Sequence, residues 1–334
     1  MTDLTNPHDR FFKEVFSREE VARDFIVNDA PSEIVERLEI SSVEAVKDSF
    51  VGSDLREHFS DLLFRAKTRD GDWAYVYILF EHKSYPDVLV AFQVLRYVVR
   101  IWEYVLKQGE RLSSVFPIVL YHGDARWNVG PQLHDVVCVP AGLEEFTPDF
   151  RYWLCDLSRY DDAAIRGVAV LQVGLLVMKY IAHDLLRERL PDIARLLVGI
   201  LRQPRGLDSV ETVLRYLTTA TNKISGDDLR EAVSAQLAER GEELMATIAE
   251  KWVEEGLQRG LQQGMQQGMQ QGARQGLLAG LELGLELKFG AEGLRFLPTL
   301  YKIEDVDVLR AIHKGLRNAD TLEELISIYQ SPLC

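Results

Sequence analysis

The chain has 334 residues, of which 47% are hydrophobic and 27% charged, an ordinary composition for a soluble globular protein with room for two domains. Cys138, Cys155 and Cys334 are too few and too far apart for a disulfide framework or a cysteine-based zinc site, so we expect reduced thiols in the cytoplasm. The net charge of -14 excludes a uniformly basic nucleic-acid-binding protein but is compatible with a local basic face.

No targeting or membrane segment is expected. The first residues, MTDLTNPHDRFF, are polar and acidic and contain no apolar stretch of the kind that a signal peptide requires. The most apolar segment, Val168 to Ile181, is too short to span a bilayer and contains Gln172 and Lys179. We therefore predict a buried helix there, a cytoplasmic protein and no membrane partner.

Four segments differ in their patterns. Residues 1–160 mix helical and strand periodicities and predict an α/β domain. Residues 161–250 read as helix throughout, residues 251–290 form a four-residue glycine repeat, and residues 291–334 predict a short helical tail. The predicted fold is thus an α/β domain followed by an all-α C-terminal region.

The N-terminal segment predicts short helices followed by a strand. Phe11, Phe12, Val15 and Phe16 recur at helical spacing, and Asp9 is the expected N-cap. Helices are predicted from Arg10 to Ser17, from Val21 to Val27 and from near Ser32. The first strand is predicted from Val43 to Val51.

Two alternating segments on either side of Arg69-Asp70-Gly71-Asp72 predict a β-hairpin, because Asp-Gly favours a tight turn. If the turn centres on Gly71, the expected pairs are Leu62 with Phe80, Phe64 with Ile78, and Ala66 with Val76. These apolar residues then share one face of a one-sided core. The same register places Asp61 directly opposite Glu81.

Asp61, Glu81 and Lys83 form a predicted phosphodiesterase centre. Two carboxylates held opposite each other suit a hard divalent cation such as Mg²⁺ or Mn²⁺, with water and a substrate phosphate completing its shell. Lys83 lies two residues beyond Glu81 on the same face, where its ammonium can approach a metal-bound water or stabilise charge on the phosphate. Glu-x-Lys occurs by chance in many proteins, so the convergence of all three residues carries the prediction.

The remaining elements of this domain predict a mixed sheet with helices on its faces. A long amphipathic helix is expected from Val88 to Lys107, a buried strand from Val115 to Leu120, and a further strand from Arg151 to Leu157. Arg96 and Arg100 lie four residues apart on the helix, in a basic stripe that either contacts DNA backbone phosphates or is simply a solvated face.

Glycine recurs every four residues from Gly256 to Gly284, and each glycine is followed by an apolar residue. Each glycine disfavours an isolated helix by about 1 kcal/mol, so packing must offset this loss if the helix forms. We predict helix-on-helix packing, either between chains in a homo-oligomer or back onto residues 161–250. The alternative is a low-complexity spacer. The Gln, Glu and Arg content excludes a membrane GxxxG helix.

The first 160 residues resemble the recombination-promoting nuclease (Rpn) family, also described as YhgA-like transposases. The matching segments are PHDRFFKEVFS at 7–17, DFIVNDAP at 24–31, SDLLFRAK at 60–67, YVYILFEHKSYPD at 75–87, LRYVVRIWE at 95–103 and FPIVLYHG at 116–123. The resemblance implies a PD-(D/E)xK nuclease with a restriction-endonuclease-like αβα sandwich and a mixed sheet, which cleaves DNA with magnesium.

By motif position, the resemblance implies Asp61 and Glu81 as metal ligands and Lys83 as the third catalytic residue. Ser60 stands where the superfamily name has proline, at a position that varies in the superfamily. Many Rpn-like proteins have glutamine where this chain has Lys83, so the chain is closer to the general PD-(D/E)xK pattern than those relatives are.

The resemblance also implies supporting residues on the first helix. His8, Asp9 and Lys13 lie within the family's N-terminal signature, and we expect them to brace the site. Glu14 is a candidate further metal ligand, because some members of the superfamily take one from this helix.

Gln93 and Tyr97 lie four residues apart and share a helix face. This Gln-x-x-x-Tyr resembles an element of RecB-like nucleases near their active site. The alternative is a packed tyrosine beside a surface glutamine.

The leading hypothesis is a magnesium-dependent DNA endonuclease linked to recombination or mobile elements. A catalytically silent DNA-binding or scaffolding protein of the same fold is a rival, against which the intact catalytic set argues. A toxin-like or defence nuclease would have the same chemistry, and an oligomerisation protein would have its function in the repeat. No RNase H-type transposase site is recognisable in the sequence.

Overall fold

A computed structural model describes residues 6–46, 62–81, 86–123, 125–237 and 239–330. The chain divides into two compact units, Met1–Ala246 and Thr247–Cys334. The strands are β1 (Leu38–Ala45), β2 (Leu62–Thr68), β3 (Trp73–Glu81), β4 (Val115–Tyr121) and β5 (Trp153–Asp156). The helices are α1 (Pro7–Phe16), α2 (Glu19–Asp29), α3 (Ser32–Val35), α4 (Val90–Lys107), α5 (Ala169–Tyr180), α6 (Leu186–Leu201), α7 (Gly206–Thr219), α8 (Gly226–Leu237), α9 (Glu239–Leu294), α10 (Leu297–Leu300), α11 (Val306–Leu316) and α12 (Leu322–Gln330).

Within the described residues, one mixed sheet has the strand order β1-β2-β3-β4-β5. β1, β2 and β3 pair antiparallel, whereas β3, β4 and β5 run parallel to one another. A parallel pair needs a crossover connection, and α4 supplies the one between β3 and β4. The predicted α/β class with a mixed sheet, followed by a helical C-terminal region, is confirmed and is consistent with a restriction-endonuclease-like fold.

The hairpin register differs from the prediction by two residues. The turn is a three-residue loop centred on Asp70, closed by hydrogen bonds from Gly71 N–H to Thr68 C=O (2.9 Å) and from Thr68 N–H to Asp72 C=O (2.7 Å). Gly71 has a φ of +92°, a conformation that glycine adopts without strain. The observed pairs are Leu62 with Ile78, Phe64 with Val76, and Ala66 with Ala74. Because side chains alternate with a period of two, the predicted faces survive this shift.

Both faces of the sheet are buried, so the predicted one-sided core is wrong. One face, with Leu63, Tyr75 and Tyr77, packs against the inner side of α4. The opposite face, with Phe64 and Ile78, is equally buried. Helices therefore cover both faces of the sheet.

Contacts to α2 and α5 define the second helical layer. The Arg23 guanidinium of α2 donates to the Val43 carbonyl of β1 at 2.8 Å. At the other end of α2, the Asp29 carbonyl accepts a hydrogen bond from the Trp153 indole of β5 at 2.7 Å. α5 contacts the sheet where its Met178 carbonyl accepts from His122, just after β4. The result is a sheet between two helical layers.

Several predicted boundaries need correction. β1 begins at Leu38, earlier than the predicted start at Val43, and residues 47–61 lie outside the described part of the chain. α1 is capped by Asn6, whose side chain accepts from the His8 N–H, and not by Asp9. Asp9 instead lies in the first turn, where a carboxylate is favoured by the helix dipole.

The helical region after the sheet packs into the same compact unit. The predicted buried helix is confirmed as α5, most of whose residues are buried. α-Helix does not run through the whole predicted segment, because residues 161–168 contain only a short 3-10 helix, Asp162–Ala164, before α5 begins. Cys138 and Cys155 are free thiols, exposed and buried respectively. None of the described helices is both long and apolar enough to cross a membrane.

The second unit has its own hydrophobic core. The repeat forms a continuous part of α9, which departs from helical geometry at Gly290 (φ +61°). Leu278, Leu281 and Leu285 of α9 are buried against the short helices that follow, including Leu309 and Ile312 of α11. The end of the repeat therefore packs against the C-terminal tail of the same chain.

Candidate active site at the carboxyl edge of the sheet

The parallel strands β3, β4 and β5 end at a common edge. Glu81, the last residue of β3, pairs with Tyr121, the last residue of β4, and Tyr121 pairs with Asp156, the last residue of β5. The carboxyl ends of parallel strands are where open α/β sheets bind their ligands. The edge is therefore the candidate active site, and Glu81 lies on it.

Of the three predicted catalytic residues, the structure describes the backbone of Glu81 only. Asp61 and Lys83 lie outside the described residues. β2 begins at Leu62, which pairs with Ile78, so Glu81 lies three residues beyond the partner of the first residue of β2. The observed register therefore does not support the predicted pairing of Asp61 with Glu81. Among the described residues, no three His, Cys, Asp or Glu side chains cluster as metal ligands would.

Two histidines meet beside this edge. His122 follows β4 directly and is buried, and its ring centroid lies 5.5 Å from that of His8 on α1. His122 Nδ1 lies 3.2 Å from the Met178 carbonyl, and because a carbonyl can only accept, this nitrogen carries the proton. The structure thus brings the predicted His8 together with His122, to which the sequence had assigned no role.

Tyr216 of α7 anchors His8. Its hydroxyl lies 2.6 Å from His8 Nδ1, and its ring stacks on Phe11 with centroids 4.0 Å apart. Burial, together with the nearby Asp9 carboxylate, raises the pKa of Tyr216, so the hydroxyl stays protonated. The helical region therefore helps to position the N-terminal helix, which no local sequence pattern indicated.

The other supporting residues of α1 are accounted for differently. Glu14 forms an ion pair with Arg10 one turn earlier, at 2.7 Å, and both side chains are partly exposed. Lys13 lies in the last turn, where its positive charge interacts favourably with the negative end of the helix dipole. These positions fit a helix that is stabilised along its own length, and the proposed roles of Lys13 and Glu14 at the site stay predictions.

Asp156 is a buried carboxylate that the sequence analysis missed. It is 5% exposed, and its Oδ1 accepts hydrogen bonds from the N–H and hydroxyl of Ser158, at 3.1 Å and 2.6 Å. Its Oδ2 is buried and has no donor among the described residues. The sequence offered one sign of Asp156, its position near the end of a predicted strand. Its pairing with Tyr121 depends on how the strands assemble into the sheet, which the sequence does not show.

The Gln-x-x-x-Tyr pair lies on α4 at the face that covers the sheet. Tyr97 is buried and stacks on Tyr77 of β3 with centroids 5.1 Å apart. Gln93 is partly buried, and its Nε2 has no acceptor within the described residues. Arg96 is exposed and Arg100 is partly exposed on the other side of this helix. The tyrosine is thus a packing residue, and the glutamine amide remains available to a further group.

A mixed sheet between helical layers, with a carboxylate-bearing carboxyl edge, defines an α/β protein of nuclease-like architecture. The chain belongs to the family described as putative transposase, YhgA-like, whose model matches residues 6–207. That match includes β1 to β5 and extends to the start of α7.

Similar curated proteins come from Escherichia coli. The chain is 27% identical over 269 residues to the recombination-promoting nuclease RpnD of strain O157:H7, covering 75% of this chain and 96% of that protein. It is 28% identical over 257 residues to the recombination-promoting nuclease RpnA of strain K12, covering 75% of this chain and 85% of that protein. A third relative from K12, 27% identical over 270 residues, is named an inactive recombination-promoting nuclease-like protein, RpnE. No solved structure matches the chain significantly.

Proposed function

We propose that this chain is a metal-dependent DNA endonuclease that hydrolyses phosphodiester bonds in the cytoplasm during recombination or the movement of mobile elements. The position of Glu81 carries the proposal, because the Glu-x-Lys motif begins at the last residue of β3, on the carboxyl edge. The names of RpnA and RpnD support a nuclease linked to recombination.

The residues at this edge fit a hard divalent cation, Mg²⁺ or Mn²⁺. Asp61 and Glu81 would hold the ion through carboxylate oxygens, which such cations prefer. Asp156 adds a buried carboxylate in the same row, with one oxygen that has no donor among the described residues. When bound, the cation would polarise the phosphate and lower the pKa of its water.

The chain's own residues would then stabilise the attacked phosphate and position the groups around it. The Lys83 ammonium would stabilise negative charge on the attacked phosphate, which is the largest protein contribution expected in such chemistry. Tyr216 holds His8 at the edge through a 2.6 Å hydrogen bond, and His8 in turn lies against His122. This arrangement supports a bracing role for the N-terminal helix.

The test is cleavage of supercoiled plasmid, single-stranded DNA and RNA by the wild-type chain, Asp61→Ala and Lys83→Ala. We expect wild-type cleavage of DNA with Mg²⁺, no cleavage in EDTA, and a loss of 100-fold or more in each variant. Absence of wild-type cleavage with any divalent cation would support the alternative of a silent scaffold, for which RpnE provides a named precedent. Cleavage that survives Asp61→Ala would place the active site elsewhere.

We also propose that the first part of the repeat joins chains in a homo-oligomer. Its apolar residues Leu257, Leu261, Met265 and Met269 are all exposed, whereas the apolar residues at its end are buried. The observation that supports this packing is Gly284, where an added Cβ would lie 2.5 Å from Leu316, so a glycine of the repeat already admits the side chain of another helix. Replacing the four exposed residues by Gln should lower the mass in light scattering, and an unchanged mass would contradict the proposal.

A further inference from the structure

α4 carries two apolar faces, of which the sheet covers only one. The buried face packs on β3 and β4, and it consists of Val90, Ala91, Val94, Tyr97, Val98, Ile101 and Val105. On the opposite side, Phe92, Val99 and Leu106, together with Leu89 at the N-cap, are between 42% and 57% exposed. A helix that covers a sheet is expected to be polar on its outer side, so this second apolar face indicates a partner.

The exposed face follows the spacing of a coiled coil. Leu89, Arg96 and Glu103 recur every seven residues, and Phe92, Val99 and Leu106 do the same between them. All six are exposed, and together they form what is here called the outer stripe. Alternating steps of three and four residues keep such a seam facing one partner helix over its whole length. The stripe spans about 26 Å, at 1.5 Å per residue.

The charges on the outer stripe are complementary to a reversed copy of the same stripe. In an antiparallel pair, Leu89 faces Leu106 of the second copy, Phe92 faces Glu103, and Arg96 faces Val99. Arg96 then lies about 6 Å along the axis from Glu103 of the second copy, within reach of its long side chain. The two-fold axis of the dimer generates this ion pair twice, so Arg96 of each chain pairs with Glu103 of the other. Neither residue forms an ion pair with another described residue.

We propose that the outer stripe of α4 is an isologous interface that pairs two copies of this chain antiparallel. Charged residues at core positions of a helix pair lower its stability but fix its register, which is the role we assign to Arg96 and Glu103. The pairing would give a dimer with two carboxyl edges, one from each chain.

DNA is the competing partner for this face, since Arg96 and Arg100 were predicted to contact backbone phosphates. Contact with backbone phosphates requires positively charged and polar groups, and an apolar seam contributes nothing to it. Glu103, seven residues after Arg96 in the same row, would repel a phosphate backbone that followed the stripe. The alternation of apolar residues with opposite charges therefore favours a protein helix over DNA.

Site-specific cross-linking of the full chain tests the pairing independently of the repeat and of nuclease activity. Cys138 and Cys334 are first replaced by Ser, and two differently tagged chains carry Leu89→Cys and Leu106→Cys. With a short bismaleimide, the mixture should give a cross-linked species of twice the 38.1 kDa chain mass. Each chain alone should give at least tenfold less, because residue 89 lies about 25 Å from its own copy in an antiparallel pair.

Charge exchange provides the second arm of the test. Arg96→Glu or Glu103→Arg, placed in both chains, should reduce cross-linking at least fivefold through like-charge contacts. Arg96→Glu in one chain and Glu103→Arg in the other should restore it, because one ion pair then re-forms with reversed sign and the other is unchanged. Arg111→Glu is the matched control, since this exposed residue lies beyond the outer stripe.

Two results would overturn the proposal. One is an absence of cross-linking in the mixture, or equal cross-linking within each chain alone. The other is a failure of the mixed charge variants to recover cross-linking. If Arg96→Glu instead weakens binding to a DNA duplex while no chains cross-link, the face is a DNA contact. If the Leu89→Cys and Leu106→Cys chains cross-link as expected but the wild-type chain cleaves nothing, the nuclease proposal fails and this one stands.

Discussion

Three polar side chains at the carboxyl edge are partly or fully buried, and two of them are held by partners from distant parts of the sequence. His8 is bound by Tyr216, His122 by the Met178 carbonyl, and Asp156 by Ser158. Only the last of these contacts is local in sequence. Because a buried polar group that loses its partner costs about 1–3 kcal/mol, these contacts fix the geometry of the edge as well as stabilise it.

Asp29, at the end of α2, gives a prediction about pH. Burial, with a smaller effect of Asp24, raises the pKa of Asp29 to about 6, although a hydrogen bond with Tyr160 opposes the shift. The folded state thus binds the proton more tightly than the unfolded chain. The resulting stabilisation is complete below the unfolded pKa of about 3.9 and is lost as the pH rises through about 6.

Asp29→Asn should therefore stabilise the protein at pH 8 by about 1–2 kcal/mol, discounted for partial exposure, and change little at pH 4. Denaturant unfolding at the two pH values measures this difference. Asp70→Asn, in the exposed hairpin turn, is the control and should have almost no effect at either pH. An equal change at both pH values would show that Asp29 does not titrate as described.

At the scale of elements, periodicity predicted which segments form strands and helices but not how they pair. The alternation in β2 and β3 gave the correct faces, while the turn length that sets the register depends on the conformation of Gly71. The continuous burial of Leu63, Phe64, Tyr75 and Val76 shows why a one-sided core was the wrong expectation. Burial of the second face depends on α2 and α5, which are far away in sequence.

The junction between α2 and α5 depends on Gly167. Its φ is +108°, and an added Cβ would lie 2.0 Å from Asp24 Oδ2, the oxygen that accepts from the Val168 N–H at the start of α5. Gly167→Ala should therefore destabilise the protein by about 2 kcal/mol or more, measured by denaturant unfolding.

Gly199→Ala is the matched control for this prediction. Gly199 lies within α6, and nothing is within 4 Å of an added Cβ. Because alanine favours a helix interior over glycine, this variant should gain about 0.5–1 kcal/mol. The same sign of change in both variants would contradict the account of the junction.

At the scale of the molecule, the chain has two compact units with separate cores. Glycines in the repeat suggested a weak helix, yet the helix is observed, and its end is stabilised by Leu281 and Leu285 packing on α11. The sequence predicted that packing was needed but not that the C-terminal tail supplies it, because the tail's apolar residues are spread over three short helices.

Leu285→Ala should destabilise the second unit without destabilising the first. Leu285 is fully buried, so its truncation should cost about 2–5 kcal/mol and speed amide hydrogen exchange between residues 277 and 325. Leu257→Ala, at a side chain that is 73% exposed, should change exchange very little. Faster exchange of similar size in β3 and β4 would show that the two units do not unfold separately.

We propose that the carboxyl edge of the sheet, with Glu81 at the end of β3, is the active site. The most direct measurement compares Mg²⁺-dependent plasmid cleavage by the wild-type chain, Glu81→Gln and Glu39→Gln. Glu39 is an exposed carboxylate of β1 in the same sheet, so it controls for the loss of one negative charge. We predict a loss of 100-fold or more for Glu81→Gln and none for Glu39→Gln, whereas full cleavage by Glu81→Gln would contradict this assignment of the active site.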